Sequence, residues 1–255
     1  MKFIDSHTHI YLSEFASDID SVIDRAQKEN IKKYFLPAID SSHHNEMILL
    51  EEKFPDKCVA MMGLHPCSVK ENYLDELKIV EDWLNRKQFA AIGEIGLDFY
   101  WDKTFTKQQY EAFEIQMQWA LDKKLPIVIH TRNAIQEAIE VVLPFSKKGL
   151  TGIFHCFGDD YATAKKIMDM SFYLGIGGVV TYKNSGLNEV LKEVPLTSIV
   201  LETDAPYLTP VPFRGKRNEP SYIKIIAEKI ATIKEISIEE VATITTANAE
   251  KIFNC

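Results

Sequence analysis

The stretch Phe3-Ile4-Asp5-Ser6-His7-Thr8-His9 opens the chain with a short apolar run that ends in two histidines. Residues two apart on a β-strand point to the same side, so His7 and His9 can converge on one metal ion. By itself, an HxH pair is more typical of a strand end that holds no metal. The rest of the chain therefore decides whether this pair belongs to a site.

Seven further apolar runs, rich in β-branched or aromatic residues, follow the first one. Near-continuous hydrophobic runs indicate strands that are covered on both faces, as in a parallel barrel wrapped by helices. Together the runs predict eight strands, at Phe3 to Asp5, Lys33 to Ala38, Cys58 to Leu64, Ala90 to Ile95, Pro126 to Ile129, Thr151 to Phe154, Phe172 to Ile176 and Ile199 to Glu202.

The segments between these runs have helical patterns. Asp18 to Asn30 and Leu74 to Leu84 each place their apolar residues on one face. Thr106 and Ser237 begin capping-box patterns, which predict helices that run to about Lys123 and Thr245. Strand and helix alternate along 255 residues, so the sequence predicts an α/β protein, a single (β/α)8 TIM barrel that spans residues 1–255 as one domain.

Composition limits the classes of partner. Lys and Arg number 29 against 37 Asp and Glu, so the net charge is −8. This balance excludes a long positively charged surface that follows a nucleic-acid backbone. Four cysteines form no CxxC pair, which favours a reducing cytoplasm. No apolar stretch approaches the ~20 residues of a membrane span. We therefore expect a cytoplasmic protein with no membrane contact and no obligate protein partner.

Side chains that can bind metal stand at the ends of five predicted strands. Active sites of parallel barrels collect at the C-terminal ends of the strands, and independent accidents rarely align in this way. Six candidates exceed what one tetrahedral ion uses, which predicts two ions. The first would be held by His7, His9 and Asp204, the second by His130 and His155, and Glu94 would bridge them.

The donor types suggest which ions and which chemistry to expect. Imidazole nitrogen combined with carboxylate oxygen suits zinc or manganese better than a site built for magnesium alone, and we expect two divalent ions, Zn, Mn or Mg. Such a pair can activate a water and polarise a phosphoryl or carbonyl oxygen. Asp204 and Glu94 are the candidate catalytic residues, with Asp204 accepting the proton of the water. A buried structural carboxylate is the alternative for Glu94.

In their local contexts these residues resemble the TatD family of metal-dependent deoxyribonucleases, within the amidohydrolase-like barrel superfamily. The similarity spans the whole chain. Glu94 stands in the sequence GEIGLD that is known from this family, at the position where many dinuclear relatives of the superfamily use a carboxylated lysine. The stretches that carry the resemblance are Phe3 to His9, Gly93 to Tyr100, Pro126 to Arg132, His155 to Phe157, Glu202 to Leu208 and Arg214 to Pro220.

The resemblance implies hydrolysis of DNA phosphodiester bonds by a 3′–5′ exonuclease, with single-stranded or frayed DNA 3′ ends as substrate. Arg132 and Arg214 are then the cations placed to bind phosphates, and Lys216 fits this role and a solvated loop equally well. His65 is expected to face the substrate, with a structural strand-end histidine as the alternative. Tyr207 fits base stacking and core packing equally.

Two rival functions remain open at this point. The first is a metal-dependent amidohydrolase or esterase that acts on a small or aminoacyl substrate, since the same ligand pattern fits it. The second is a noncatalytic barrel that serves as an interaction protein, which would have little reason to keep these candidate ligands. The sequence also departs from the family at positions that shape substrate preference rather than at a ligand position. These are Tyr11, Cys67, Asn133 and Gly158-Asp159-Asp160.

Overall fold

The computed structural model describes residues 1–255 and contains eight parallel strands. The strands are β1 (Phe3–Asp5), β2 (Ile31–Leu36), β3 (Cys58–Ala60), β4 (Ile92–Asp98), β5 (Ile127–Arg132), β6 (Gly152–Phe154), β7 (Tyr173–Ile176) and β8 (Ile199–Leu201). Nine helices surround them: α1 (Ile19–Lys28), α2 (His44–Lys53), α3 (Tyr73–Arg86), α4 (Thr106–Lys123), α5 (Ile135–Ser146), α6 (Tyr161–Asp169), α7 (Leu187–Glu193), α8 (Ile223–Lys234) and α9 (Ile238–Phe253).

The strands close into a barrel. β1 to β3 pair in sequence order, and so do β4 to β8. A parallel bridge between Met62 and Ile92 joins the two groups on one side. On the other side the amide of Ser6 donates to the carbonyl of Leu201 at 2.9 Å, which joins the segment after β1 to β8. The architecture is therefore the (β/α)8 barrel that the sequence predicts.

Apolar side chains fill the lower interior of the barrel, so the site above them has a packed floor. Each strand, or the residue next to it, contributes one member, and α9 adds Ala249 and Phe253. The ring of Phe253 stacks on Phe35 with centroids 3.8 Å apart. The strand contributions are Ile4, Phe35, Met61, Ala91, Val128, Ile153, Tyr173 and Val200. His130 and His155 follow Val128 and Ile153 by two residues, so their side chains point inward one layer higher.

Some predicted boundaries are wrong for local reasons. Ser237 caps α9 by accepting the amide of Glu240, but the helix continues to Phe253 because Ala249 and Phe253 are buried against the apolar cluster inside the barrel. Thr106 is not a cap: it is the first residue of α4, and its hydroxyl donates to the carbonyl of Lys103. None of the helices combines the length and the apolar character needed to cross a bilayer.

Candidate metal centre

Six side chains that the sequence singles out meet at the C-terminal end of the barrel. His7 and His9 follow β1, Glu94 lies within β4 and His130 within β5. The remaining two are His155, which directly follows β6, and Asp204, three residues beyond β8. Because the strands are parallel, these positions share one rim even though up to 197 residues separate them in the chain. Their role as metal ligands stays a prediction; their proximity is observed.

The first half of the cluster has the spacing of a coordination shell. Nε2 of His7 lies 3.3 Å from Nε2 of His9 and 3.1 Å from Oε2 of Glu94, and His9 lies 3.4 Å from the same oxygen. Oδ1 of Asp204 is 3.6 Å from both histidine nitrogens. Ligands of a tetrahedral zinc ion are about 3.4 Å apart. These four atoms therefore suit a single ion.

The second half gathers around the other oxygen of Glu94. Oε1 lies 2.9 Å from Nδ1 of His130 and 2.9 Å from Nε2 of His155, and those two nitrogens are 3.5 Å apart. Each oxygen of Glu94 thus faces a different pair of histidines. This is the arrangement that a carboxylate bridging two ions requires.

The charges of the cluster also fit divalent cations. Glu94 and Asp204 are buried, and neither makes an ion pair with a lysine or arginine. Burial raises the pKa of Asp204 to about 6. Burial also raises the pKa of Glu94, but His155, His65 and His7 lower it further, to well below its usual value. Two buried carboxylates among histidines are balanced most simply by bound metal ions.

Hydrogen bonds to the far ring nitrogens orient two of the histidines, and a carboxylate lies at a longer distance from that of a third. The Tyr11 hydroxyl donates to the carbonyl of Pro37 at 2.6 Å, so it can accept the Nδ1 proton of His9, 3.0 Å away. Nε2 of His130 lies 2.9 Å from Oδ2 of Asp98, and Nδ1 of His155 lies 3.6 Å from Oε1 of Glu202. Such partners place the proton away from the centre and leave the inner nitrogen free to bind metal.

His65 lies at the same centre but in a different state. Its Nδ1 accepts a hydrogen bond from the amide of Cys67 at 3.1 Å, so the ring proton must be on Nε2. That nitrogen lies 3.3 Å from Oε1 of Glu94. A protonated Nε2 cannot bind metal, and His65 is therefore a hydrogen-bond donor that faces the second half of the cluster.

Two cations and one aromatic residue named from the sequence lie exposed on this side of the barrel. Arg132 and Arg214 make no side-chain hydrogen bond or ion pair, and their guanidinium groups stack on Tyr100 and Tyr182, respectively, at 3.8 and 4.0 Å. Tyr207 is 49% exposed, with its ring 6.2 Å from that of His9, so it does not pack in the core. All three can contact a bound molecule.

The basic stretch after β8 is mostly structural. Arg217 forms an ion pair with Asp18 at 2.8 Å, and the buried side-chain amide of Asn218 donates to the carbonyls of Thr203 and Tyr207. Lys216 has no side-chain ion pair and lies exposed near the ring of Phe213. This segment therefore fixes the loop that carries Asp204, while Arg214 remains available for binding.

Asp98, Glu202 and the contact of Tyr11 with His9 belong to the centre but are not predicted from the sequence. Asp98 follows Glu94 by four residues on the same strand, and Glu202 precedes Asp204 by two. That even spacing, which repeats the direction of a side chain, was the available signal. In the sequence Tyr11 is only a departure from the family pattern, whereas in the structure its hydroxyl orients the ring of His9.

Comparison with known proteins identifies the family of this chain. The family model described as TatD related DNase matches residues 4–254. The chain is 38% identical to a Bacillus subtilis (strain 168) protein named uncharacterized metal-dependent hydrolase YabD, over 98% of each chain. It is 31% identical to the Escherichia coli (strain K12) protein named uncharacterized metal-dependent hydrolase YcfH, covering 100% of this chain and 96% of YcfH.

A solved structure extends the likeness to three dimensions. The crystal structure of YJJV, a TatD homologue from Escherichia coli K12, superposes with a TM-score of 0.90 at 25% identity, covering 99% of this chain and 98% of that one. Family model, relatives and fold agree over nearly the entire chain. The protein therefore belongs to the TatD family of metal-dependent hydrolases.

Proposed function

We propose that the protein is a deoxyribonuclease that removes nucleotides from the 3′ ends of single-stranded or frayed DNA, using two divalent metal ions. One observation carries the proposal. Glu94 presents one oxygen to His7 and His9 and the other to His130 and His155. The family described as TatD related DNase supplies the substrate class.

The side chains of the cluster have distinct tasks in this scheme. Two ions bound there would polarise the phosphoryl oxygen and acidify a water. The carboxylate of Asp204 is positioned to accept the proton of that water, because its Oδ1 faces His7 and His9. The Nε2 proton of His65 points toward Glu94 and can donate to an oxygen of the substrate bound beside it.

The exposed cations favour an anionic substrate. Arg132 and Arg214 keep all their N–H donors free of protein partners. A guanidinium group binds phosphate through two parallel hydrogen bonds, whereas a neutral amide gains little from it. The pair therefore supports a phosphodiester over the rival amide or aminoacyl ester.

Parallel assays test this function. Protein purified without chelator, with its metal content measured, is incubated with 5′-labelled single-stranded DNA and with a panel of cyclic amides and aminoacyl esters. We expect stepwise shortening of the strand from its 3′ end, lost on chelation and regained on adding Mn²⁺, Zn²⁺ or Mg²⁺. Turnover of an amide or ester without shortening of DNA would overturn the proposal.

A pair of variants assigns the chemistry to the cluster. Asp204→Asn should keep most of its metal but lose nearly all turnover, since an amide cannot accept the proton. The matched control is Asp169→Asn, an exposed residue of α6 that pairs with Lys165. Equal rates for Asp204→Asn and the parent protein would contradict the role assigned to Asp204.

A further inference from the structure

Two large aromatic side chains lie exposed directly after β4. Tyr100 is 52% exposed and Trp101 is 68% exposed, and their rings pack edge to face with centroids 4.9 Å apart. The other two tryptophans, Trp83 and Trp119, are partly buried against the core. Exposing a pair of aromatic rings costs solvation free energy and is typical of a surface that contacts a partner.

Arg132, the last residue of β5, completes this surface. Its guanidinium lies 3.8 Å from the ring centroid of Tyr100 and 5.1 Å from that of Trp101. The two strand ends are neighbours because Asp98 pairs with Arg132, and the amide of Phe99 donates to the carbonyl of Arg132 at 2.9 Å. One stacked cation with free N–H donors thus sits beside two aromatic faces.

A single buried carboxylate connects this surface to the metal centre. Oδ1 of Asp98 accepts the amides of Tyr100 and Trp101 at 2.9 and 3.0 Å. Oδ2 of the same side chain lies 2.9 Å from Nε2 of His130, a candidate metal ligand. The aromatic turn is therefore held at a fixed position relative to the centre.

We propose that Tyr100, Trp101 and Arg132 form a stacking platform for a base of single-stranded DNA next to the hydrolysed end. Trp101 would stack on the base, and Arg132 would bind the adjoining phosphate while stacked on Tyr100. This inference rests on the proposed function and deepens it, because it explains a preference for single strands. The bases of a duplex are stacked on one another and cannot present a face to Trp101, whereas an unpaired base can.

The chemistry of the surface favours nucleic acid over a neutral apolar partner. Aromatic faces alternating with an unpaired cation match the bases and phosphates of a single strand. The protein carries a net charge of −8, so attraction of a polyanion depends on local groups such as Arg132. A short platform beside the centre suits an enzyme that engages only the end of a strand.

Equilibrium binding measures the platform without turnover. The full-length, metal-loaded protein is titrated into a 5′-fluorescein oligodeoxythymidylate with phosphorothioate linkages, whose length is verified on a gel after each titration. Fluorescence anisotropy gives the Kd. Trp101→Ala should raise the Kd about tenfold, as expected for the loss of one stacked base, whereas Trp101→Phe should stay within about threefold of the parent.

Two controls separate stacking from other effects. Leu143→Ala removes an exposed apolar side chain from the last turns of α5, and it should leave the Kd unchanged. The same oligonucleotide with abasic residues near its 3′ end should bind the parent protein about as weakly as the oligonucleotide with all its bases binds Trp101→Ala. Equal affinity of the parent and Trp101→Ala for the strand that carries all its bases would overturn the platform. The platform would also be overturned if Trp101→Ala weakened binding of the abasic strand by the same factor as binding of the strand with bases.

The outcomes distinguish the platform from the nuclease activity. If the protein binds single strands through Trp101 but never shortens DNA, the platform stands and the proposed function fails. If Trp101→Ala shortens DNA with the kcat/KM of the parent and binds it equally well, the platform fails and the proposed function stands.

Discussion

The hydroxyl oxygen of Tyr11 lies 3.0 Å from Nδ1 of His9 and donates its own proton to the carbonyl of Pro37. It can therefore only accept from His9, which keeps Nε2 of that ring unprotonated toward Glu94 and Asp204. The position that departs from the family pattern thus determines the tautomer of a candidate ligand.

Tyr11→Phe should weaken binding of the first metal ion about tenfold, because His9 loses the acceptor that orients its ring. Calorimetric titration of metal into chelator-treated protein measures this affinity. Tyr73→Phe is the matched control, since it removes a hydroxyl that donates to Glu111 far from the centre. Unchanged affinity in Tyr11→Phe would show that the hydroxyl does not set the tautomer.

Asp98→Asn should separate the two tasks of that side chain. The amide oxygen can still accept the amides of Tyr100 and Trp101, but the amide nitrogen cannot accept a proton from Nε2 of His130. We expect the affinity for the second ion to fall about tenfold while the affinity for single-stranded DNA stays within about threefold.

The same two titrations on Asp122→Asn, an exposed residue that accepts from Gln118, provide the control for Asp98→Asn. If metal affinity in Asp98→Asn equals that of the parent, the bond between Asp98 and His130 does not orient the ring.

The sequence was sufficient for the barrel and for the residues that meet at its rim. Eight apolar runs predict eight strands, and parallel strands end on the same side, so the convergence of His7, Glu94 and Asp204 follows from topology alone. Contacts that depend on which ring nitrogen faces inward do not follow from topology. Even spacing from Glu94 can place Asp98 near the centre, but neither its contact with His130 nor that of Tyr11 with His9 could be assigned from the sequence.

The basic segment Arg214 to Pro220 shows a second limit. From the sequence, Arg214 is a candidate for phosphate binding and Lys216 fits phosphate binding and a solvated loop equally, but nothing indicates that Arg217 pairs with Asp18 or Glu219 with Arg25. Those partners precede the segment by about 195 residues in the chain, and no local pattern connects them. Only the closed barrel, which packs α1 against the segment before α8, brings them together.

Asn218→Ala tests the structural role of this segment. The change leaves the carbonyls of Thr203 and Tyr207 without their donor, because the side-chain amide of Asn218 reaches them at 2.7 and 2.6 Å in a buried position. We expect the free energy of unfolding to fall by about 2–4 kcal/mol in urea denaturation, since two buried acceptors lose their bonds. Asn85→Ala, at an exposed position of α3, should stay within about 0.5 kcal/mol. If both variants lost equally little stability, the hydrogen bonds of Asn218 to Thr203 and Tyr207 would not be what holds this segment in place.

Glu94→Gln tests whether one carboxylate holds both ions. The glutamine amide offers one oxygen and one NH₂ group, so it can face His7 and His9 or His130 and His155 with an acceptor, but not both. Metal analysis of the purified variant should therefore give about one ion per chain or fewer, against two in the parent protein. Glu51→Gln is a matched control, because Glu51 is a half-buried glutamate of α2 that accepts the amide of Ala60 and contacts none of the candidate ligands. Its amide oxygen can still accept from Ala60, so its metal content should stay near that of the parent. Two ions per chain in a folded Glu94→Gln variant would show that the histidines and Asp204 hold the metals without a bridge.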